Sequence, residues 1–171
     1  MNKIDFTNGS QPAINDTNLN QMQANIENAI NEKSYINAYL NSKQAISQGD
    51  QFLINLTDKE IKGDYFELDA SAHTIKILKD CLAIISGTIF VEDTAGDSGY
   101  VYLQIKKNNA DISLNLENID GKNFISVTVA SKAIELKQND IIKMTVDYTS
   151  DSGNPKIRGE HKDTFLSIVK I

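Results

Sequence analysis

The chain has 171 residues, 40% hydrophobic and 23% charged, which fits a folded domain with an appendage. Its formal net charge is −6. Without a cluster of Lys and Arg, such a chain is poorly suited to nucleic acid or to an anionic membrane surface, since both need grouped cations against phosphate.

Residues 1–15 read as an extended segment. Its opening, MNKIDFTNGS, has no signal-peptide apolar core, so the expectation is a product kept in a cytoplasm or exported without a cleaved signal. No apolar run approaches the ~20 residues that span a bilayer. Residues 16–48 contain neither Pro nor Gly and predict a single helix, about 50 Å long at about 1.5 Å per residue. Leu19, Met22, Ile26, Ala29, Lys33, Ile36, Leu40 and Lys43 alternate in steps of three and four, a heptad pattern, with Ile30 and Tyr39 flanking the seam. The expectation is a self-associating coiled-coil stalk with Leu19, Met22, Ile26, Ala29, Ile30, Ile36 and Leu40 at its seam. The polar face is rich in Asn, a mediocre helix former, so packing of the stripe must supply the stability. Packing of that stripe on the chain's own β domain is the alternative.

From residue 51 the period changes to two. Predicted strands are 51–57, 65–68, 74–78, 82–92, 100–107, 112–116, 124–136, 141–149 and 164–171. Gly, Asn and Asp clusters separate them, as in Lys62-Gly63-Asp64, Asp120-Gly121-Lys122 and Gln138-Asn139-Asp140. Many short strands at this spacing predict an antiparallel sandwich or jelly roll over 51–171. The fold class is therefore mostly β, with an N-terminal helical stalk.

Little in the chain carries catalytic chemistry. Cys81 is the single cysteine, so no intrachain disulfide is expected. It opens the apolar run Cys81–Ile85, where an inert thiol is expected. His73 and His161 read as solvated loop residues, and no HExxH, Walker A or GxSxG pattern occurs. Asp93 to Gly99 offers too few oxygens for a calcium loop and reads as a plain turn. No catalytic residue, metal or cofactor is expected. The best ligand candidate is the stretch 147–158, where Tyr148, Asp151, Asn154 and Arg158 place an aromatic face beside hydrogen-bonding groups suited to a sugar. Tyr100 and Tyr102 share one face of a predicted strand and could equally be contacts between protomers.

Two stretches resemble known families. Pro12-Ala13-Ile14-Asn15-Asp16-Thr17-Asn18-Leu19-Asn20-Gln21-Met22, followed by Ile26 and Ala29, resembles the N-terminus of tail-fibre, baseplate and receptor-binding proteins of phages infecting low-GC Gram-positive bacteria. The abundance of Asn, Ile and Lys, with Arg158 the only arginine, also fits a low-GC genome. Ala133 to Met144 and Phe165 to Ile171 look like the closing strands of C1q/TNF-like jelly rolls. The sequence departs from that family in having Asp80-Cys81-Leu82 where Gly-x-Tyr is usual, and it has no Trp.

The resemblance implies a homotrimer. It further implies a tail-tip receptor-binding protein of a virion, assembled in the bacterial host cytoplasm. Residues 1–15 would dock to other tail or baseplate proteins, and the head would recognise a host cell-wall saccharide. A purely architectural virion fibre or baseplate protein, and a bacterial C1q/TNF-like adhesion domain, remain as alternatives.

Overall fold

A computed structural model describes residues 16–31, 33–49, 51–94, 98–150 and 153–171. The segment expected to dock to a particle, 1–15, lies outside the described residues. The chain divides into two units, Met1–Lys33 and Ser34–Ile171. The first contains one helix, α1 (Asp16–Asn31), on which the side chains of Leu19, Met22 and Ile26 are exposed. Those three are spaced three and four apart, so they form one stripe. Gln21 donates to Asn25 Oδ1 at 3.2 Å, an i, i+4 pair along the helix surface. Among the described residues no helix is long and apolar enough to cross a membrane.

The expected helix over 16–48 is corrected here. It ends at Asn31, and residues 35–39 form a strand instead. Ile36 and Leu40 are four apart, so a helical stripe and one face of a strand both claim them. Ala38 decides between the two. Ile36, Ala38 and Leu40 all point inward and are buried, whereas Tyr35 and Asn37 point outward. Pairing with strands on both sides supplies backbone partners that an Asn-rich helix could not better. Ile36 and Leu40 are thus core residues and not members of a coiled-coil seam. The β unit begins at Ser34, not at Gln51.

In chain order the strands are β1 (Tyr35–Tyr39), β2 (Gln44–Ala45), β3 (Gln51–Leu53), β4 (Asp58–Lys62), β5 (Phe66–Asp69), β6 (Thr74–Ile77) and β7 (Cys81–Glu92). They continue with β8 (Gly99–Lys107), β9 (Ala110–Asn118), β10 (Phe124–Ala130), β11 (Ile134–Leu136), β12 (Ile141–Ser150), β13 (Lys156–Ile157) and β14 (Phe165–Lys170). All pairings are antiparallel. One sheet runs β2-β13-β7-β14-β1-β4, with β10 and β11 on the other edge of β7. The other runs β5-β6-β12-β8-β9, with β3 also paired to β12. The sheets pack face to face over a core that includes Ile36, Ile75, Ile85, Ile89, Leu103 and Ile105.

Local chemistry explains the joints. Asn108 and Asn109 both adopt positive φ, 49° and 71°, the pattern of the two-residue turn that closes a hairpin, here β8–β9. The strand expected over 124–136 is split. Ser131 interrupts it, its amide donating to Ile85 O and its Oγ accepting from Ile85 N, so the ladder on β7 continues across the break. Gly87 sits at the centre of β7, where a Cβ would lie 2.7 Å from Met144 Sδ of the facing sheet. The absent side chain therefore sets how closely the two sheets approach there.

Three of the outer strands, β4, β9 and β10, are guarded. β4 is Asp58-Lys59-Glu60-Ile61-Lys62, exposed along its length and charged at four of five positions. The edges of β9 and β10 are stitched together by side chains. Ser113 Oγ donates to Ala130 O at 2.8 Å and Asn115 Nδ2 to Thr128 O at 2.9 Å. Both devices discourage strand addition at β4, β9 and β10.

Candidate binding surfaces

The outer face of the first sheet is built by alternation. Along β7, Ala83, Ile85, Ile89 and Val91 go to the core, so Leu82, Ile84, Ser86, Thr88 and Phe90 go out. Register places Val169 of β14 beside Ile84, Ser167 beside Ser86, and Phe165 beside Thr88. From β10, Thr128 lies beside Thr88 and Ser126 beside Phe90. Leu82, Ile84, Val169 and Ile171 therefore form an exposed apolar end. The middle is small and polar, with the Thr88 and Thr128 hydroxyls 3.0 Å apart. At the far end Phe90 stacks on Phe124, centroids 5.7 Å apart, and Phe124 remains 62% exposed. Contiguous apolar groups left on a sheet face mark an interaction surface.

Ion pairs frame this face. Lys162 pairs with Glu60, sits 4.6 Å above the Tyr39 ring, and holds the Glu60 carboxyl below the usual range. Tyr39 Oη donates to the other Glu60 oxygen at 3.0 Å, and burial, then Glu60, pushes the phenol up. Lys43 pairs with Glu92 at 2.5 Å, and Lys156 with Asp93 at 3.1 Å. These are exposed or half-exposed pairs, so they orient side chains more than they stabilise the fold.

The stretch chosen from sequence as a ligand site does not assemble as expected. Tyr148 is corrected: it is 2% exposed, and its hydroxyl donates to Thr94 O at 3.1 Å inside the sandwich. It shares the parity of Ile142, Met144 and Val146 along β12, all buried. That parity was the signal that could have placed it in the core. Arg158 Nε lies 3.0 Å from Asp163 Oδ2, and its guanidinium sits 5.5 Å above Phe90, so it serves the first sheet's face. Asn154 is exposed, and Asp151 lies outside the described residues. Of the oligomerisation residues, Leu19, Met22 and Ile26 are exposed on α1, and the side chains of Ala29 and Ile30 lie outside the description.

The reactive side chains are placed as follows. Cys81 is half-buried at the start of β7, and burial raises its thiol above the ordinary range, which favours the unreactive protonated form. His73 is half-buried in the β5–β6 turn, with Nδ1 3.3 Å from Leu56 O, rather than a freely solvated loop residue. The side chain of His161 lies outside the description. Among the described residues no group of three or more His, Cys, Asp or Glu is placed to hold a metal.

A shallow cleft of about 600 Å³ opens at the β5–β6 corner beside Glu67, Asp69, Ser71, Thr74, Lys76 and Ile141. Asp69 is committed within it. It accepts from the amides of Ser71 and Ala72 and from Ser71 Oγ, and these bonds, the hydroxyl's first, lower its pKa.

Two comparisons by sequence return nothing: no family model matches the chain, and no curated protein is significantly similar to it. Comparison of folds does. The chain is similar to murine APRIL, with a TM-score of 0.62 at 12% identity, covering 82% of this chain and all of that one. It is also similar to the Eiger TNF of S. frugiperda, with a TM-score of 0.51 at 10% identity, covering 81% and 91% of the two chains. The head is therefore a TNF-like jelly roll, as the closing strands led us to expect.

Proposed function

We propose that this chain is the protomer of a homotrimeric, non-enzymatic virion protein, a tail-tip receptor-binding protein whose head takes a host cell-surface saccharide. Binding is noncovalent and uses no cofactor. The N-terminal segment docks to other tail or baseplate proteins, and the particle is assembled in the bacterial host cytoplasm.

The observation that carries the reading is the exposed face of Leu82, Ile84, Val169 and Ile171 with the Phe90–Phe124 stack, on a head whose β4, β9 and β10 edges are guarded. Such a face seeks a copy of the chain. The α1 stripe of Leu19, Met22 and Ile26 supplies a second, independent point of association. Joining copies at both places raises the local concentration of heads, and multiplied heads turn weak sugar affinity into avidity. The virion assignment draws its support from the Pro12 to Met22 resemblance.

The test is the solution mass of the full-length protein by light scattering on a sizing column. Three times 19.0 kDa is expected. A mass of one protomer overturns the trimer and the avidity argument. Sedimentation of the trimer with purified walls of low-GC Gram-positive bacteria then tests the receptor role. A trimer that ignores every wall preparation leaves the architectural reading in its place.

A further inference from the structure

The outer face of the second sheet carries a strip that neither the core nor the first sheet's face uses. Along β8, Val101, Leu103 and Ile105 turn inward, so Tyr100 and Tyr102 turn outward; Gln104 shares their parity but is buried. Successive outward residues lie about 6.8 Å apart along a strand. Register brings Thr149 of β12 and Asn118 of β9 to either side of Tyr100, and Asp147 and Leu116 to either side of Tyr102. Tyr100 is 38% exposed. Its position is pinned from behind by Gly99, at φ +136°, where a Cβ would fall 2.0 Å from Thr149 O.

Two neighbouring rows of this face differ in their hydrogen bonding. One row on, Gln104 is satisfied: its Oε1 accepts from Gln51 Nε2 at 2.5 Å and Thr145 Oγ1 at 3.1 Å. Lys106, beyond it, is paired with Asp111 at 3.0 Å. In the tyrosine rows, by contrast, the side chains of Tyr100, Tyr102, Asn118, Asp147 and Thr149 have no hydrogen-bond or ion-pair partner among the described residues. Two rings thus stand in a line with open donors and acceptors on both sides. Asp147 is the one charged side chain of the two rows, and the Lys122 ammonium donates to Asn118 O at 3.4 Å at their end, so the strip carries one charge of each sign and a hydroxyl-rich chain without net charge is complementary.

We propose that Tyr100, Tyr102, Asn118, Asp147 and Thr149 form a binding face for a neutral saccharide chain. The inference rests on the saccharide reading above and gives it a place. The two rings stack on the C–H faces of successive sugars. Asp147 accepts from sugar hydroxyls, while Asn118 and Thr149 both donate and accept. A flat face of this kind, unlike a closed pocket, suits the interior of a polymer.

Native gels cast with a neutral glucan, a galactomannan or a rhamnan test this on the full-length protein. Retardation is expected in at least one of them, and none in a gel cast with heparin. Tyr102→Ala should weaken that retardation about tenfold or more, as for an aromatic anchor at an interface. Tyr102→Phe, which keeps the ring, should retain most of it. Asp147→Asn should weaken it less, and light scattering should give each variant the wild-type mass. Failure of the wild type in all the neutral gels overturns this face, whereas the saccharide reading falls only if sedimentation with purified walls fails as well. Retardation that Tyr102→Ala and Asp147→Asn leave untouched overturns the face alone. Loss of oligomeric mass in Tyr102→Ala assigns the strip to protomer contact and overturns it as a ligand face.

Discussion

Helix α1 and strand β1 follow one another in the chain and are made of similar material. Both mix Asn with apolar residues that recur three or four apart: Leu19, Met22 and Ile26 on α1, and Ile36 and Leu40 in β1 and just past its end. Yet Leu19, Met22 and Ile26 are between 51% and 57% exposed, whereas Ile36 is completely buried. The difference lies in what each segment meets. β1 is clasped between β14 and β4, with Ile36 opposite Ile168 and Ile61. α1 keeps a stripe that its own unit leaves open. Spacing of apolar residues identifies a buried face without saying in which geometry it is buried, and only a partner decides.

The sharpest way to break this contrast is Ile36→Asp. A carboxylate at a fully buried core position has no partner, and the loss is expected to exceed about 3 kcal/mol, enough to unfold the head. Far-UV circular dichroism and thermal melting of the soluble fraction check it. A folded Ile36→Asp head would return residue 36 to a solvent-facing or helical role. The same logic disqualifies Ile36 as a probe of association, because its substitution would abolish assembly through the fold and not through a seam.

Gly87→Ala comes next. The added methyl meets Met144 Sδ at 2.7 Å, and the flexible thioether must move. Overpacking of this sort is expected to destabilise by about 1–3 kcal/mol, a fall of several degrees in the melting temperature. A melting temperature equal to wild type would mean that the sheets have slack at this point.

Asp140 offers a smaller, pH-dependent effect. It accepts from Lys137 N at 2.8 Å and from Asn108 Nδ2 at 2.6 Å, and pairs with Lys107 at 3.0 Å, joining the β8–β9 turn to the start of β12. Burial raises its pKa, but the Lys137 amide, Asn108 and Lys107 together outweigh burial and hold it below the ordinary value. A lowered folded pKa stabilises the native state at pH above the unfolded value of about 3.9, and that contribution is lost as pH falls through the folded value. Asp140→Asn should therefore cost about 1–2 kcal/mol at pH 7. The gap to wild type should narrow as pH falls below the unfolded value, as denaturant titrations at pH 7 and pH 3 would show. A gap that persists unchanged at the lower pH would mean that packing, not charge, makes the contribution.

How much of this was legible in the sequence depended on whether a segment's surroundings matched its pattern. β6, β7, β8, β12 and β14 alternate cleanly because one face meets the core and the other does not, and the predicted spans agree within a residue or so. β4 was invisible because both its faces are exposed, leaving no period in Asp58 to Lys62. β2 and β13 are two residues each, too short for any period. At the candidate site the error ran through parity. Tyr148 borders a polar loop that suggests a ligand site, but it follows Ile142, Met144 and Val146 inward. Tyr100 and Tyr102 have the parity opposite to Val101 and Leu103, which marks them as outward residues without any structure.

The smallest expected effect on the head is that of Ile26→Asp, and its smallness is what makes it informative. Ile26 belongs to the unit Met1–Lys33, while the head's core draws on Ser34 to Ile171. An aspartate there removes one apolar group from the α1 stripe and adds a charge that a seam of copies would have to bury. Head stability should move by less than about 0.5 kcal/mol, as for a surface substitution. In the proposed assembly the solution mass at low protein concentration should fall, because the charge would weaken a helix seam and leave the first sheet's face to hold the copies alone. Melting unchanged with the mass reduced would separate the two regions: β1 holds the head together and α1 gathers heads. If the mass stayed at that of the trimer down to the lowest concentration measured, the face of Leu82, Ile84, Val169 and Ile171 would suffice by itself. The stripe on α1 would then be free for a partner other than a second copy of the chain.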